Sequence, residues 1–129
     1  MINLDKESII GVSALLVHAA KIDEQYSTHE KELIKEFIKS YLKDGNIEEV
    51  LEKAEEIEKN SNQLLNFTNI IKQNTLEVKK DIIQHLWKVI ISDNTIDQYE
   101  SNLMRRICGL IYVPDKICAE IKLNLLENK

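Results

Sequence analysis

The groups in this chain best placed to do chemistry are carboxylates, gathered in two short clusters that match each other. One reads Asp23-Glu24-Gln25-Tyr26-Ser27-Thr28-His29-Glu30. The other, seventy positions later, reads Asp93-Asn94-Thr95-Ile96-Asp97-Gln98-Tyr99-Glu100. Carboxylates this close together can hold a hard divalent cation through oxygen, or divide acid and base roles between them. The second cluster offers Asp93, Asp97 and Glu100. The first offers Asp23 and Glu30, with Ser27 where its counterpart has Asp97. Three carboxylates make a weak oxygen site, short of the roughly six to eight ligands of a Ca²⁺ shell. Neither cluster has EF-hand spacing. Counting from Asp93, Gln98 replaces the required Gly and Met104 the bidentate Glu, and counting from Asp23 those positions hold Thr28 and Ile34.

The same residues have a structural reading. Ser27 with Glu30, and Asp97 with Glu100, stand at the spacing of an N-cap and the third residue of a helix. Acids there also suit the helix dipole. Capping accounts for four of these side chains and leaves Asp23 and Asp93 as turn residues. Each cluster is then an elbow between two helices, with three residues between Asp23 and Ser27 and three between Asp93 and Asp97.

No nucleophile, base or phosphate-cradling Gly loop accompanies the carboxylates, so no catalytic residue is assigned. His18, His29 and His85 lack metal-ligand spacing. Cys108 and Cys118 stand ten apart with no second pair, which suggests neither a zinc framework nor a disulfide scaffold but two small buried residues. Lys79-Lys80 and Arg105-Arg106 are the only basic pairs of note. A pI near 5.2 argues against nucleic acid as a partner.

The elements that position the elbows follow from apolar spacing. Leu33, Ile34, Phe37, Ile38 and Tyr41 after the first elbow are answered by Leu103, Met104, Ile107, Cys108 and Ile111 after the second. That spacing is the buried stripe of an amphipathic helix. In order, helices are predicted over about 4–20, with stripe Ile9, Val12, Leu16 and Ala20, and 28–42. The next spans 47–59, turning Ile47, Val50, Leu51, Ala54 and Ile57 inward. A short apolar helix around Phe67, Ile70 and Ile71 is expected at the centre. The remaining helices run from Thr75 as N-cap to about Ile91, from Gln98 to Ile111, and from Pro114 at the first helical position to about Leu126. Gly45 is expected in the left-handed position that closes the second helix.

The fold class is therefore all-α: one compact bundle of about seven helices in a single domain, 1–129, containing two pseudo-repeated helix-elbow-helix pairs. One Pro and three Gly leave little room for linkers, and 129 residues can bury a working core. No apolar stretch is long enough to span a membrane, and the opening Met-Ile-Asn-Leu-Asp-Lys-Glu is unlike a signal peptide. A cytoplasmic protein without direct membrane insertion is expected. The net charge of −5 is concentrated in 44–60, where seven acids face Lys53 and Lys59. That helix is either a solvated face or a surface for a basic partner.

The stretch from His85-Leu86-Trp87 through the second elbow to Leu110-Ile111-Tyr112-Val113-Pro114 resembles the second half of a TerB-like (tellurite-resistance TerB) domain. Leu64-Leu65-Asn66-Phe67-Thr68 and the first elbow sit where that family has related segments, so the resemblance covers nearly the whole chain. It implies a compact helical binding or stress-response module, not an enzyme, working through a partner protein or a divalent ion at the elbows. Carried over by position, the metal ligands are Asp93, Asp97 and Glu100, and in the first copy Asp23, Ser27 and Glu30. The sequence departs from the family at the elbow's usual Asp-Gly, which reads Asp23-Glu24 and Asp93-Asn94 here. No cofactor beyond a divalent cation is implied. A small carboxylate-dependent enzyme is the alternative.

Overall fold

Each stretch of apolar periodicity folds as a helix. The computed structural model describes residues 4–21, 26–43, 45–60, 65–91 and 98–127. They form α1 (Lys6–Ala20), α2 (Thr28–Tyr41), α3 (Ile47–Asn60), α4 (Leu65–Ile71), α5 (Leu76–Ile91), α6 (Gln98–Leu110) and α7 (Asp115–Glu127). There is no strand among the described residues, and the helices build a compact all-α bundle. None of these helices is long and apolar enough to cross a membrane.

The caps explain where the helices begin. Asp5 accepts the Ser8 N–H at 2.7 Å and starts α1. Asn46 Oδ1 accepts the Glu48 N–H at 2.9 Å and starts α3, while Thr75 Oγ1 accepts the Val78 N–H at 3.3 Å and starts α5, as expected. Each bond satisfies one of the amides that a helix N-terminus leaves without a partner. Pro114 stands one position earlier than expected. Its carbonyl accepts from Ile117 and Cys118, so it precedes the helix and Asp115 is the first helical residue.

Two helix ends differ from the sequence reading. Gly45 has a positive φ of 128°, but α2 stops at Tyr41 with Leu42 as its cap, so the glycine shapes the connection to α3 and does not close α2. The residue that does take a left-handed closing position is Tyr112, just past the end of α6, with φ 61°. Val113 N–H reaches the Cys108 carbonyl at 2.9 Å and Tyr112 N–H the Gly109 carbonyl at 3.3 Å, the paired bonds of a Schellman motif.

The core is centred on α1 and α5, where the sequence had suggested α4. Of α1, Val12 to Val17 and Ala19 and Ala20 are all buried, because the helix packs against α2, α3, α4 and α5. A helix that is apolar on nearly every side is one surrounded by others. α4 buries Phe67, Thr68 and Ile71 against α1 and α6, leaving Asn69 exposed. Gly11 lets α1 approach α4 closely: a Cβ there would lie 2.5 Å from Ile70 Cδ1. The matching stripes after the two elbows are buried in parallel, Ile34, Phe37, Ile38 and Tyr41 on α2 and Leu103, Met104, Ile107, Cys108 and Ile111 along α6 and its end. Val50, Leu51 and Ala54 turn inward from α3. Ile57, expected beside them, is 43% exposed because it lies at the mouth of a groove.

Candidate functional site

The first elbow joins α1 to α2, and α3 packs over both. Ser27 and Glu30 form the expected capping box. Ser27 Oγ accepts the Glu30 N–H at 3.2 Å, and Glu30 Oε1 accepts the Ser27 N–H at 2.9 Å. Glu30 is buried, and one of its oxygens is thereby held by the helix itself.

Charged side chains from the three helices gather around this cap. From α1 and its end, His18 Nδ1 lies 3.2 Å and Lys21 Nζ 2.9 Å from the two oxygens of Glu58 on α3. From α2, Lys31 Nζ lies 3.8 Å from Glu55. Burial acts to raise the Glu58 pKa, but the Lys21 and His18 contacts outweigh it and hold the carboxyl below its ordinary value. The Tyr26 ring lies under both lysines, at 5.9 Å from Lys21 Nζ and 5.0 Å from Lys31 Nζ. Burial, then the adjacent Glu55 carboxylate, pushes the Tyr26 phenol far above its usual range. Glu55 is its neighbour without a hydrogen bond of good geometry, and the hydroxyl is buried without a partner among the described residues. The arrangement is an ionic clamp that ties α3 to the elbow.

Of the carboxylates assigned from the sequence, Glu30 is the one whose side chain the structure describes. Asp23, Asp93 and Asp97 lie outside the described residues, as does the side chain of Glu100 on the first turn of α6. Among the described residues no three His, Cys, Asp or Glu side chains group so as to hold a metal ion.

Two further features were not anticipated from the sequence. The Tyr41 hydroxyl donates to Asp81 Oδ2, which also faces His85 Nε2 at 3.7 Å, and the His85 ring stacks edge-on against Phe37 at 5.2 Å. Phe37 and Tyr41 lie one turn apart on α2, and Asp81 and His85 one turn apart on α5, but nothing in their spacing pairs the one helix with the other. The second feature is a groove of about 690 Å³ between α1, α3 and α4. Ile10, Ile57, Phe67 and Ile70 form its apolar lining, and its charged lining residues are Asp5, Glu7 and Glu56. The sequence signalled only the acidic face of α3, since Ile57 was expected to turn inward.

Fold and site together define an all-helical module in which α3 is tied by ion pairs to α1 and α2 and borders an apolar groove. A family model described as Tellurite resistance protein TerB matches residues 10–123, and the chain belongs to that family. No curated protein and no solved structure gives a match.

Proposed function

We propose that this chain is a cytoplasmic binding module of stress response that acts by recruiting a basic protein partner to the α3 side of the bundle. The observation that supports this most is the distribution of α3 carboxylates. Glu55 and Glu58 turn toward Lys31, Lys21 and His18, while Glu56 stays exposed on the lining of the apolar groove with Ile57, and Glu52 is exposed one turn earlier on α3. Acids on a rim steer a cationic partner, and the apolar surface supplies the contact that outlasts screening.

Capture from native extract at low and high salt tests the reading. Exposed charges are screened beyond about 8 Å at physiological ionic strength, so a partner held by the rim should weaken as salt rises. Charge reversal at Glu52 and Glu56 should reduce the same capture. A partner indifferent to both would sit on another surface.

The family resemblance supports a second reading, weak divalent-ion binding at Asp93, Asp97 and Glu100, with Asp23 and Glu30 the corresponding residues of the first elbow. The spacing of the second-elbow carboxylates is what favours it. Glu30 is the poorest of the five, since Oε1 already accepts the Ser27 amide.

A further inference from the structure

Two surface features of the bundle are complementary to each other in shape and in charge. The first is the ring of Tyr112. At 72% exposure it is the most exposed large hydrophobic side chain among the described residues. Its φ of 61° lies where glycine is favoured, so the chain keeps an exposed aromatic ring there against the preference of the backbone. Lys72, just past α4, and Lys79, on α5, place their ammonium groups 5.9 and 6.0 Å from the ring centroid. Lys79 is only 9% exposed, so its stem is held in place by the packing around it. Among the described residues neither lysine has a carboxylate at ion-pair distance. Leu76, one turn before Lys79 on α5, adds a further exposed apolar side chain.

The second feature is the groove between α1, α3 and α4. Ile57 and Phe67 are part of its apolar lining, and its charges have the opposite sign: Asp5, Glu7 and Glu56, with no Lys or Arg in the described lining. All three acids are exposed. α3 ends on the groove wall at Asn60, and the carbonyls of a helix's last turn add partial negative charge there. The volume of about 690 Å³ lies within the roughly 300–1,000 Å³ that encloses a drug-sized molecule, so a tyrosine ring can enter. An apolar floor with a carboxylate rim suits an aromatic ring flanked by cations, and the chain carries such a ring itself.

We propose that the groove takes Tyr112 of a second copy of this chain, with Lys72 and Lys79 of that copy meeting Asp5, Glu7 and Glu56. The inference rests on the reading of the α3 side as the surface for a basic partner, and it names that partner. The ring gains the aliphatic contacts it lacks in the free chain, and the two ammonium groups gain carboxylates. Because the two patches use different residues, the contact is head-to-tail. A docked pair keeps one free ring and one free groove, and further copies add unless the arrangement closes on itself. One ring and its flanks bury far less than the roughly 1,200 Å² of a stable complex, so association is weak and governed by concentration. The net charge of −5 on each copy also opposes approach.

The test is sedimentation of the purified full chain from micromolar to millimolar concentration, where the weight-average mass should rise with concentration. Tyr112→Gly removes the ring and relieves the backbone, and Ile57→Lys puts a cation on the groove wall at an exposed position. Each should weaken association at least about tenfold, as loss of a central anchor does. Glu56→Lys serves as a second groove variant, and circular dichroism checks the fold of each chain. Mixing the Tyr112→Gly chain with the Ile57→Lys chain leaves one intact groove and one intact ring, so the mixture should form a one-to-one complex and nothing larger. A wild type that stays monomeric at millimolar concentration, variants that associate as well as wild type, or a mixture that remains monomeric would each overturn the proposal. These measurements contain no other protein. Salt-sensitive capture from extract by a chain that stays monomeric would therefore sink the self-docking and leave the α3 reading standing.

Discussion

The Tyr41 hydroxyl on α2 donates to Asp81 Oδ2 on α5, across forty residues of sequence, and ties the helix after the first elbow to the helix before the second. Tyr41 is buried, and burial followed by the Asp81 bond raises its phenol well above the ordinary value, so it remains a donor throughout the working pH range. Tyr41→Phe removes the donor and leaves Asp81, about a third exposed, to recover water. Urea unfolding should show a loss of about 1 kcal/mol, the usual net worth of such a bond when the remaining partner can be hydrated.

His85, beside the same carboxylate, gives the bundle a pH dependence. Burial lowers its pKa below the model-peptide value of 6.5, and Lys88 adds to this against the opposing pull of Asp81 and Glu36. The imidazole therefore stays neutral in the folded state at a pH where the unfolded chain has taken up a proton. The unfolded state binds more protons there, so stability falls as pH drops below about 6.5, until the folded His85 also titrates. Unfolding curves for wild type and His85→Gln should converge in slope above that pH and diverge below it, with wild type losing stability faster.

At the first elbow the cap can be separated from any other role of its residues. Ser27→Ala should cost about 1 kcal/mol, since the Glu30 amide loses its acceptor. Glu30→Gln should be close to neutral, because Gln can also reach back to the Ser27 N–H. Glu30→Ala should be the worse of the two Glu30 variants by chemical denaturation. Equal stability of all three variants would remove the cap from the account of this elbow.

Calorimetric titration with Ca²⁺, Mg²⁺ and Mn²⁺ decides between cap and ligand at the second elbow. Asn caps about as well as Asp, so Asp97→Asn should leave stability nearly unchanged while Asp97→Ala costs on the order of 1 kcal/mol. If the elbow binds an ion, Asp93→Asn and Asp97→Asn should each remove most of the binding heat without unfolding the chain. Absence of heat in the wild type at millimolar ion would end the metal reading.

Tyr112 holds a left-handed conformation that costs a non-glycine residue roughly 1 kcal/mol. Its ring is mostly exposed, with Lys72 Nζ at 5.9 Å and Lys79 Nζ at 6.0 Å from the centroid, contacts worth about 0.5–1 kcal/mol. Tyr112→Gly relieves the strain as it loses the contacts, and should be nearly neutral. Tyr112→Ala keeps the strain and loses the ring, so thermal unfolding should place it about 1 kcal/mol below the glycine variant.

The sequence by itself determined the helices, their order and most of their inward faces. Those features depend on short-range physics: the spacing of Leu33, Ile34, Phe37 and Ile38, the reciprocal reach of Ser27 and Glu30, and the hydroxyl of Thr75 before Val78. It also determined the TerB resemblance, which lies in contiguous residues. Only the tertiary structure decided which helices lie at the centre, that Ile57 faces a groove, that Glu58 turns in to Lys21 and His18, and that Tyr41 meets Asp81. It also decided that the Trp87 indole N–H donates to the Cys118 carbonyl. Periodicity fixes the face a residue occupies on its own helix but carries no information on which other helix that face will meet, because that depends on how the helices pack together.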